Sequence, residues 1–223
     1  MTSSVGQLLF DLDGTLADTA PDLASALNEI RTKRGRPVLP FEKIRPVVSL
    51  GGKAMIKQGF NIDENAPEFP ELLADLLETY SKNICLNTHL FPGMDQLLNY
   101  LDLESIKWGI VTNKPGWLTT PLLEALELTE RPQCVISGDT LPQRKPRPEP
   151  LLHACKIMKC LPTETAYIGD AKRDIEAGKN ADMYTVAARY GYISDDMDLD
   201  TWGANRIVDS PTEILEWLTN QAT

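Results

Sequence analysis

The sequence predicts an α/β fold, a parallel sheet with helices on both faces, carrying an all-helical insert after its first strand. Three observations predict it. From about residue 89 onward, short apolar runs alternate with helical patterns, as they do where parallel strands are joined by crossover helices. Between about residues 17 and 88, apolar residues recur at helical spacing and no convincing strand occurs. The first apolar run, Leu8-Leu9-Phe10, is too short for a typical helix and ends abruptly in Asp11 and Asp13. The expected organisation is a Rossmann-like core from residues 1–16 and 89–223, with residues 17–88 spliced in as a helical domain.

Each element has its own signal. Asp18-Thr19-Ala20-Pro21 supplies N-cap and first-turn chemistry for a helix with apolar positions Leu23, Ala26, Leu27 and Ile30. Lys33-Arg34-Gly35-Arg36-Pro37 ends it. Helical patterns resume over 41–48, 52–59 and 70–83, separated by Gly-Gly, Asn-Ile-Asp and Pro-rich turns. After Phe91-Pro92-Gly93 the texture changes. Helices are expected at 93–101, 117–126, 149–158 and 172–180, alternating with strands at 107–112, 134–137, 166–169 and 183–186. A strand at 206–208 precedes a last helix at 211–218.

Composition narrows the function. The chain has 223 residues, enough for one full core plus a small accessory domain, and a net charge of −10. That charge argues against nucleic acid as a partner, because binding a phosphate backbone needs a basic patch. No apolar run approaches membrane-spanning length, and the N-terminus lacks a basic segment followed by an apolar one, so a cytoplasmic protein is expected. Cys85, Cys134, Cys155 and Cys160 form no C-x-x-C pair, and only two histidines are present. A zinc site is therefore not expected, and the cysteines read as free thiols. Oligomeric state is not legible.

Ligands of open parallel sheets bind at the carboxyl ends of the strands, and these ends carry the chemistry. The first strand is followed by Asp11-Leu12-Asp13-Gly14-Thr15. After Trp108-Gly109-Ile110-Val111 come Thr112 and Asn113; the loop after Val135-Ile136 reaches Lys145-Pro146. After Ala166-Tyr167-Ile168 come Gly169-Asp170, with Asp174 four residues on. An Asp-Gly turn, a loop lysine or a helix-start aspartate is individually commonplace, and Asp174 reads equally well as support for its helix N-terminus. Their convergence on one rim is not commonplace. Several carboxylates held together repel and are poorly solvated, so they call for a cation such as Mg²⁺ with a substrate phosphate beside it. Asp11 is the natural nucleophile for a two-step displacement, and Asp13 is placed to protonate the leaving oxygen and later deprotonate water.

Asp11-Leu12-Asp13-Gly14-Thr15, Thr112-Asn113, Lys145-Pro146 and Gly169-Asp170-x-x-x-Asp174 occur in the order of the four motifs of the haloacid dehalogenase superfamily, which the chain resembles over its whole core. The helical insert resembles that superfamily's first type of cap domain. The resemblance implies Asp11 as nucleophile, Asp13 as acid–base, and Thr112, Asn113 and Lys145 as phosphate-binding groups. It implies Mg²⁺ held by Asp11, the backbone carbonyl of Asp13 and Asp170, with Asp174 as ligand or support. It also implies that the cap segment Gly51-Gly52-Lys53 faces the site and helps choose the substrate. Ala171 departs from the pattern, standing where many relatives carry a hydroxyl residue. The second aspartate of the pair argues for phosphate transfer rather than dehalogenation.

The wider pattern resembles the phosphoglycolate phosphatases. Trp108–Pro115, Pro148-Glu149-Pro150-Leu151, Arg173–Gly178, Arg189–Ile193 and Trp202-Gly203-Ala204 resemble strings of the N-acetylmuramic acid 6-phosphate phosphatases of peptidoglycan recycling. The expected function is Mg²⁺-dependent hydrolysis of a small phosphomonoester. A β-phosphoglucomutase-like isomerase and a catalytically silent binding protein on the same fold are the alternatives.

Overall fold

A computed structural model describes residues 5–194 and 197–221; the extreme N-terminus, residues 1–4, lies outside them. The chain opens with β1 (Gln7–Phe10), β2 (Ala17–Asp18), α1 (Ala20–Lys33), α2 (Phe41–Val48), α3 (Gly52–Phe60), α4 (Phe69–Lys82) and β3 (His89–Leu90). There follow α5 (Met94–Leu103), β4 (Trp108–Val111), α6 (Gly116–Ala125), β5 (Val135–Ile136), α7 (Glu149–Met158), β6 (Thr165–Gly169), α8 (Lys172–Asn180), β7 (Tyr184–Ala188), β8 (Arg206–Val208) and α9 (Pro211–Gln221). Short 3₁₀ turns precede β6 and β8.

Six strands form one sheet in the order β5-β4-β1-β6-β7-β8, all parallel. β1 lies at its centre, flanked by β4 and β6, so Asp11 emerges where the neighbouring strand ends can converge on it. Alternation along the strands divides the core. Leu8, Phe10, Ile110 and Ile168 face a cluster built with α5, α6 and α9, whereas Leu9, Val111 and Tyr167 face α7 and α8. Leu8, Leu9 and Phe10 are fully buried, each contributing roughly 1.5–3 kcal/mol of transfer free energy.

Helices α1 to α4 share a separate apolar cluster around Leu27, Ile44, Met55, Leu76 and Tyr80, joined at its edge by Phe91, Leu118 and Tyr192. The chain enters and leaves them through β2 and β3, an antiparallel ribbon pairing Ala17 with Leu90 and Asp18 with His89. Two-residue strands leave no alternation to detect, and the sequence reading missed them. Asp22 secures the exit. Although burial favours its neutral form, its carboxylate accepts from the backbone N–H and side chains of Asn87 and Thr88 at 2.8–3.0 Å, which holds its pKa below the ordinary value.

The start of α1 differs from the expected capping. Thr19 makes no side-chain cap; the backbone N–H groups of Thr19 and Ala20 donate to the Tyr192 hydroxyl at 2.6 and 2.9 Å, and the Ala20 N–H also reaches Asp18 Oδ1 at 3.3 Å. The other helix and strand bounds lie within about three residues of expectation, the usual uncertainty of element ends. Among the described residues, no helix is long and apolar enough to cross a membrane.

Candidate active site

The backbone N–H of Asp11 still donates to Ile168 across the sheet at 2.9 Å, but strand geometry ends there. The Leu12 carbonyl then accepts from the N–H groups of Thr15, Leu16 and Ala17, closing a tight turn. Asp11 and Asp13 consequently reach the same rim but meet different cations. Asp11 Oδ1 lies 2.9 Å from Lys145 Nζ, and Asp13 Oδ1 lies 2.9 Å from Lys114 Nζ.

Gly14 makes the turn possible in two ways. Its φ of 80° is left-handed, and a Cβ there would sit 2.1 Å from Asp170 Oδ2. Gly191 also leaves room for Asp170, since a Cβ there would lie 2.3 Å from Asp170 Cβ and 2.4 Å from the Gly14 carbonyl oxygen. The Asp170 side chain is thus packed against two glycine backbones.

Lys145 is fully buried at the centre of the rim. Its ammonium lies 2.9 Å from both Asp11 Oδ1 and Asp174 Oδ1, and it donates to the Val111 carbonyl at 3.0 Å and the Tyr167 hydroxyl at 2.7 Å. The Asn113 amide does not point to open space. Its Oδ1 accepts from the Lys145 N–H and its Nδ2 donates to the Lys145 carbonyl, both at 3.1 Å, so the side chain fastens the lysine loop to β4. The phosphate-binding role expected of Asn113 therefore does not fall to its side chain, which these two bonds occupy. Thr112 is buried, its Oγ1 accepting from the Lys114 N–H at 3.2 Å. Asp174 supports its helix N-terminus, Oδ2 accepting from the Ala171 N–H at 3.0 Å, while Oδ1 faces Lys145.

Asp11, Asp170 and Asp174 each offer an oxygen within 4.8 Å of the others, all three residues buried. Burial pushes the Asp170 carboxyl up to about 7, with Asp11 and Asp174 adding to the rise and hydrogen bonds from Ser49 and Tyr192 opposing it. Burial likewise raises Asp11, against the pull of Lys145. Asp170 Oδ1, a buried oxygen of this cluster, has no hydrogen-bond partner among the described residues. An unpaired buried oxygen within a carboxylate cluster is chemistry that fits a hard divalent cation with oxygen ligands.

The helical insert reaches the rim, but not through Gly51-Gly52-Lys53. Gly52 packs beneath Leu73, and Lys53 pairs with Glu64 at 2.8 Å on an exposed face. Contact comes instead from Ser49, whose hydroxyl donates to Asp170 Oδ2 at 2.5 Å and whose carbonyl accepts from Arg173. It comes also from Tyr80, whose hydroxyl meets Lys114 Nζ at 3.0 Å. Ser49 and Tyr80 had no signal in the sequence; Lys114 and Arg173 had no assigned role although both lie in strings shared with the amino-sugar phosphatases, and Tyr190-Gly191-Tyr192 read only as core or rim aromatics at the pocket mouth.

A family model for haloacid dehalogenase-like hydrolases matches residues 8–188, spanning every one of these rim residues except Gly191 and Tyr192. The chain belongs to the haloacid dehalogenase-like hydrolases. It is 40% identical over 207 residues to the N-acetylmuramic acid 6-phosphate phosphatase of Pseudomonas putida, covering 93% of each chain. It is also 40% identical over 210 residues to a phosphoglycolate phosphatase of Xanthomonas campestris pv. campestris, covering 94% of each. The crystal structure of a predicted phosphoglycolate phosphatase from Haemophilus somnus superposes with a TM-score of 0.84 at 25% identity, covering 95% of this chain and 97% of that one. As a member of this hydrolase family with such relatives, the protein is a phosphoric monoester hydrolase.

Proposed function

We propose that the protein hydrolyses a phosphomonoester in two steps through an aspartyl-phosphate on Asp11. The observation that carries this reading is the position of Asp11. It is a buried carboxylate at the end of the central strand, 2.9 Å from the Lys145 ammonium and beside a second aspartate with its own cation. Lys145, Thr112 and backbone N–H groups hold the phosphoryl oxygens, and Asp11 displaces the leaving oxygen. Asp13 gives that oxygen its proton, then takes one from the water that cleaves the acyl phosphate. Asp11, Asp170 and the backbone carbonyl of Asp13 are the groups to hold Mg²⁺, supported by Asp174; when bound, it offsets charge on the phosphoryl oxygens. Residues 17–88 act as a cap over a core of residues 1–16 and 89–223, excluding bulk water when seated.

Of the two substrates named for its relatives, we favour N-acetylmuramic acid 6-phosphate, placing the enzyme in peptidoglycan recycling in the cytoplasm. Support comes from 40% and 37% identity to two Pseudomonas enzymes of that name, together with the sequence strings resembling them. Steady-state hydrolysis of this ester beside 2-phosphoglycolate, both with Mg²⁺, tests the assignment. A kcat/KM larger by at least about 1,000-fold for the amino sugar is expected, beyond the 10–200-fold that one methylene in a pocket can supply. A preference for 2-phosphoglycolate contradicts it.

Proton binding and cation binding compete at Asp170. Its pKa is raised from 3.8 to about 7 in the folded chain, so the folded state binds more protons across that interval. The site's contribution to stability therefore declines as pH rises through this interval, and the penalty is complete above the folded pKa. Mg²⁺ relieves that penalty. Its effect on Tm is expected to be distinctly larger on the alkaline side of this transition than on the acid side, measured by thermal melts with and without the ion.

A further inference from the structure

Lys114 is a buried cation whose side chain is only 5% exposed, and it has no place in the reaction as written above. Its surroundings are specific. Nζ lies 2.9 Å from Asp13 Oδ1 and 3.0 Å from the Tyr80 hydroxyl, with the Tyr80 ring centroid 4.5 Å away. The backbone N–H of the same residue donates to Thr112 Oγ1 at 3.2 Å. A second donor, the buried Thr19 hydroxyl, reaches the same Asp13 oxygen at 2.7 Å. Both donors fall on Oδ1, and among the described residues none is recorded on Oδ2.

This asymmetry matters for a carboxyl group that must hand over a proton. An oxygen already accepting from an ammonium and a hydroxyl is committed as an acceptor, so the transferable proton belongs on the other oxygen. The two donors also fix the plane of the carboxyl group, and with it the direction in which Oδ2 points. A lysine side chain is long and flexible and loses much rotamer freedom on being held in one place. Here the holding is done in part by Tyr80, which stands on α4 of the helical insert rather than on the sheet.

We propose that Lys114 is a positioning residue for Asp13, turning Oδ2 toward the leaving oxygen, and that Tyr80 keeps Lys114 in place only while α4 is seated over the rim. The proposal rests on the reading of Asp13 as acid–base. It joins proton delivery to cap closure: with α4 withdrawn, Lys114 loses a partner and Asp13 loses its fixed orientation.

The test uses the leaving group. An alkyl oxygen departs only with a proton, whereas 4-nitrophenolate departs without one. Because kcat/KM reports events up to leaving-group departure, the later hydrolysis common to both substrates does not obscure the comparison. Asp13→Asn, Lys114→Met and Tyr80→Phe are compared with wild type on 4-nitrophenyl phosphate and on whichever of the two alkyl esters wild type hydrolyses faster. Lys114→Met is expected to lose about 100-fold in kcat/KM on the alkyl ester and less than about fivefold on the aryl ester, within the range of acid–base contributions. Tyr80→Phe is expected to show the same split at about 5–10-fold. It removes a single hydroxyl, so it carries the comparison if Lys114→Met does not fold. Equal losses on both esters in these variants, with a split in Asp13→Asn, overturn the positioning role alone. Equal losses in Asp13→Asn overturn the acid–base reading, and the proposal with it.

Discussion

Asp11→Asn is expected to lose at least about 10⁴-fold in kcat, the scale on which removal of a nucleophile acts, with no phosphoryl group retained on the protein. The fold should survive. The amide nearly matches the carboxylate in size, and the substitution removes one of three buried acidic groups whose oxygens lie within 4.8 Å of one another. Lys145 keeps Asp174, the Val111 carbonyl and the Tyr167 hydroxyl as partners. Without Mg²⁺ the melting temperature is therefore expected to stay within a few degrees of wild type. Phosphate release and thermal melting on the same preparation check both halves. Turnover near the wild-type rate would remove Asp11 from the chemistry.

Lys145→Met is expected to be harmful in both respects. Methionine roughly conserves the volume but takes away the ammonium that lies 2.9 Å from both Asp11 and Asp174. Two buried carboxylates then lose their ion-pair partner, and breaking a buried ion pair in this way costs about 3–5 kcal/mol of stability. Activity is expected to fall by about 10²–10³-fold or more if, as proposed, Lys145 donates to the phosphoryl oxygens. The informative detail is the response to Mg²⁺. If the carboxylates attract a divalent cation, the ion should recover part of the lost stability, visible as a larger rise in Tm than in wild type. An unaltered Tm would mean that Lys145 does not compensate the cluster.

Much of the architecture was legible because strands and helices announce themselves by different periods. The parallel sheet followed from apolar runs of four or five residues alternating with helical stretches, and α2, α7, α8 and β8 lie where their patterns place them. The convergence of Asp11, Lys145, Asp170 and Asp174 was legible for a topological reason: residues following parallel strands gather at one edge of a sheet. What escaped were contacts whose partners are remote in sequence. Nothing local to Thr19 or Ala20 indicates that Tyr192 takes their N–H groups, and nothing near Ser49 announces Asp170. Asn113 was assigned by its place beside Thr112, yet its amide is occupied by the Lys145 backbone, a pairing that needs the fold of the lysine loop. Gly51-Gly52-Lys53 was expected at the site from the resemblance alone, and the contact with the rim comes from Ser49 just before it. The ribbon of β2 and β3 had too few residues to carry any period.

The account stands or falls on a covalent intermediate at Asp11. The direct measurement is rapid acid quenching of the enzyme during turnover with Mg²⁺, followed by digestion and mass analysis of the peptide spanning Gln7 to Leu16. One phosphoryl group on Asp11, removed by hydroxylamine and absent from Asp11→Asn, is the predicted result. A phosphoryl group on another residue, or turnover with none at any quench time, would contradict it.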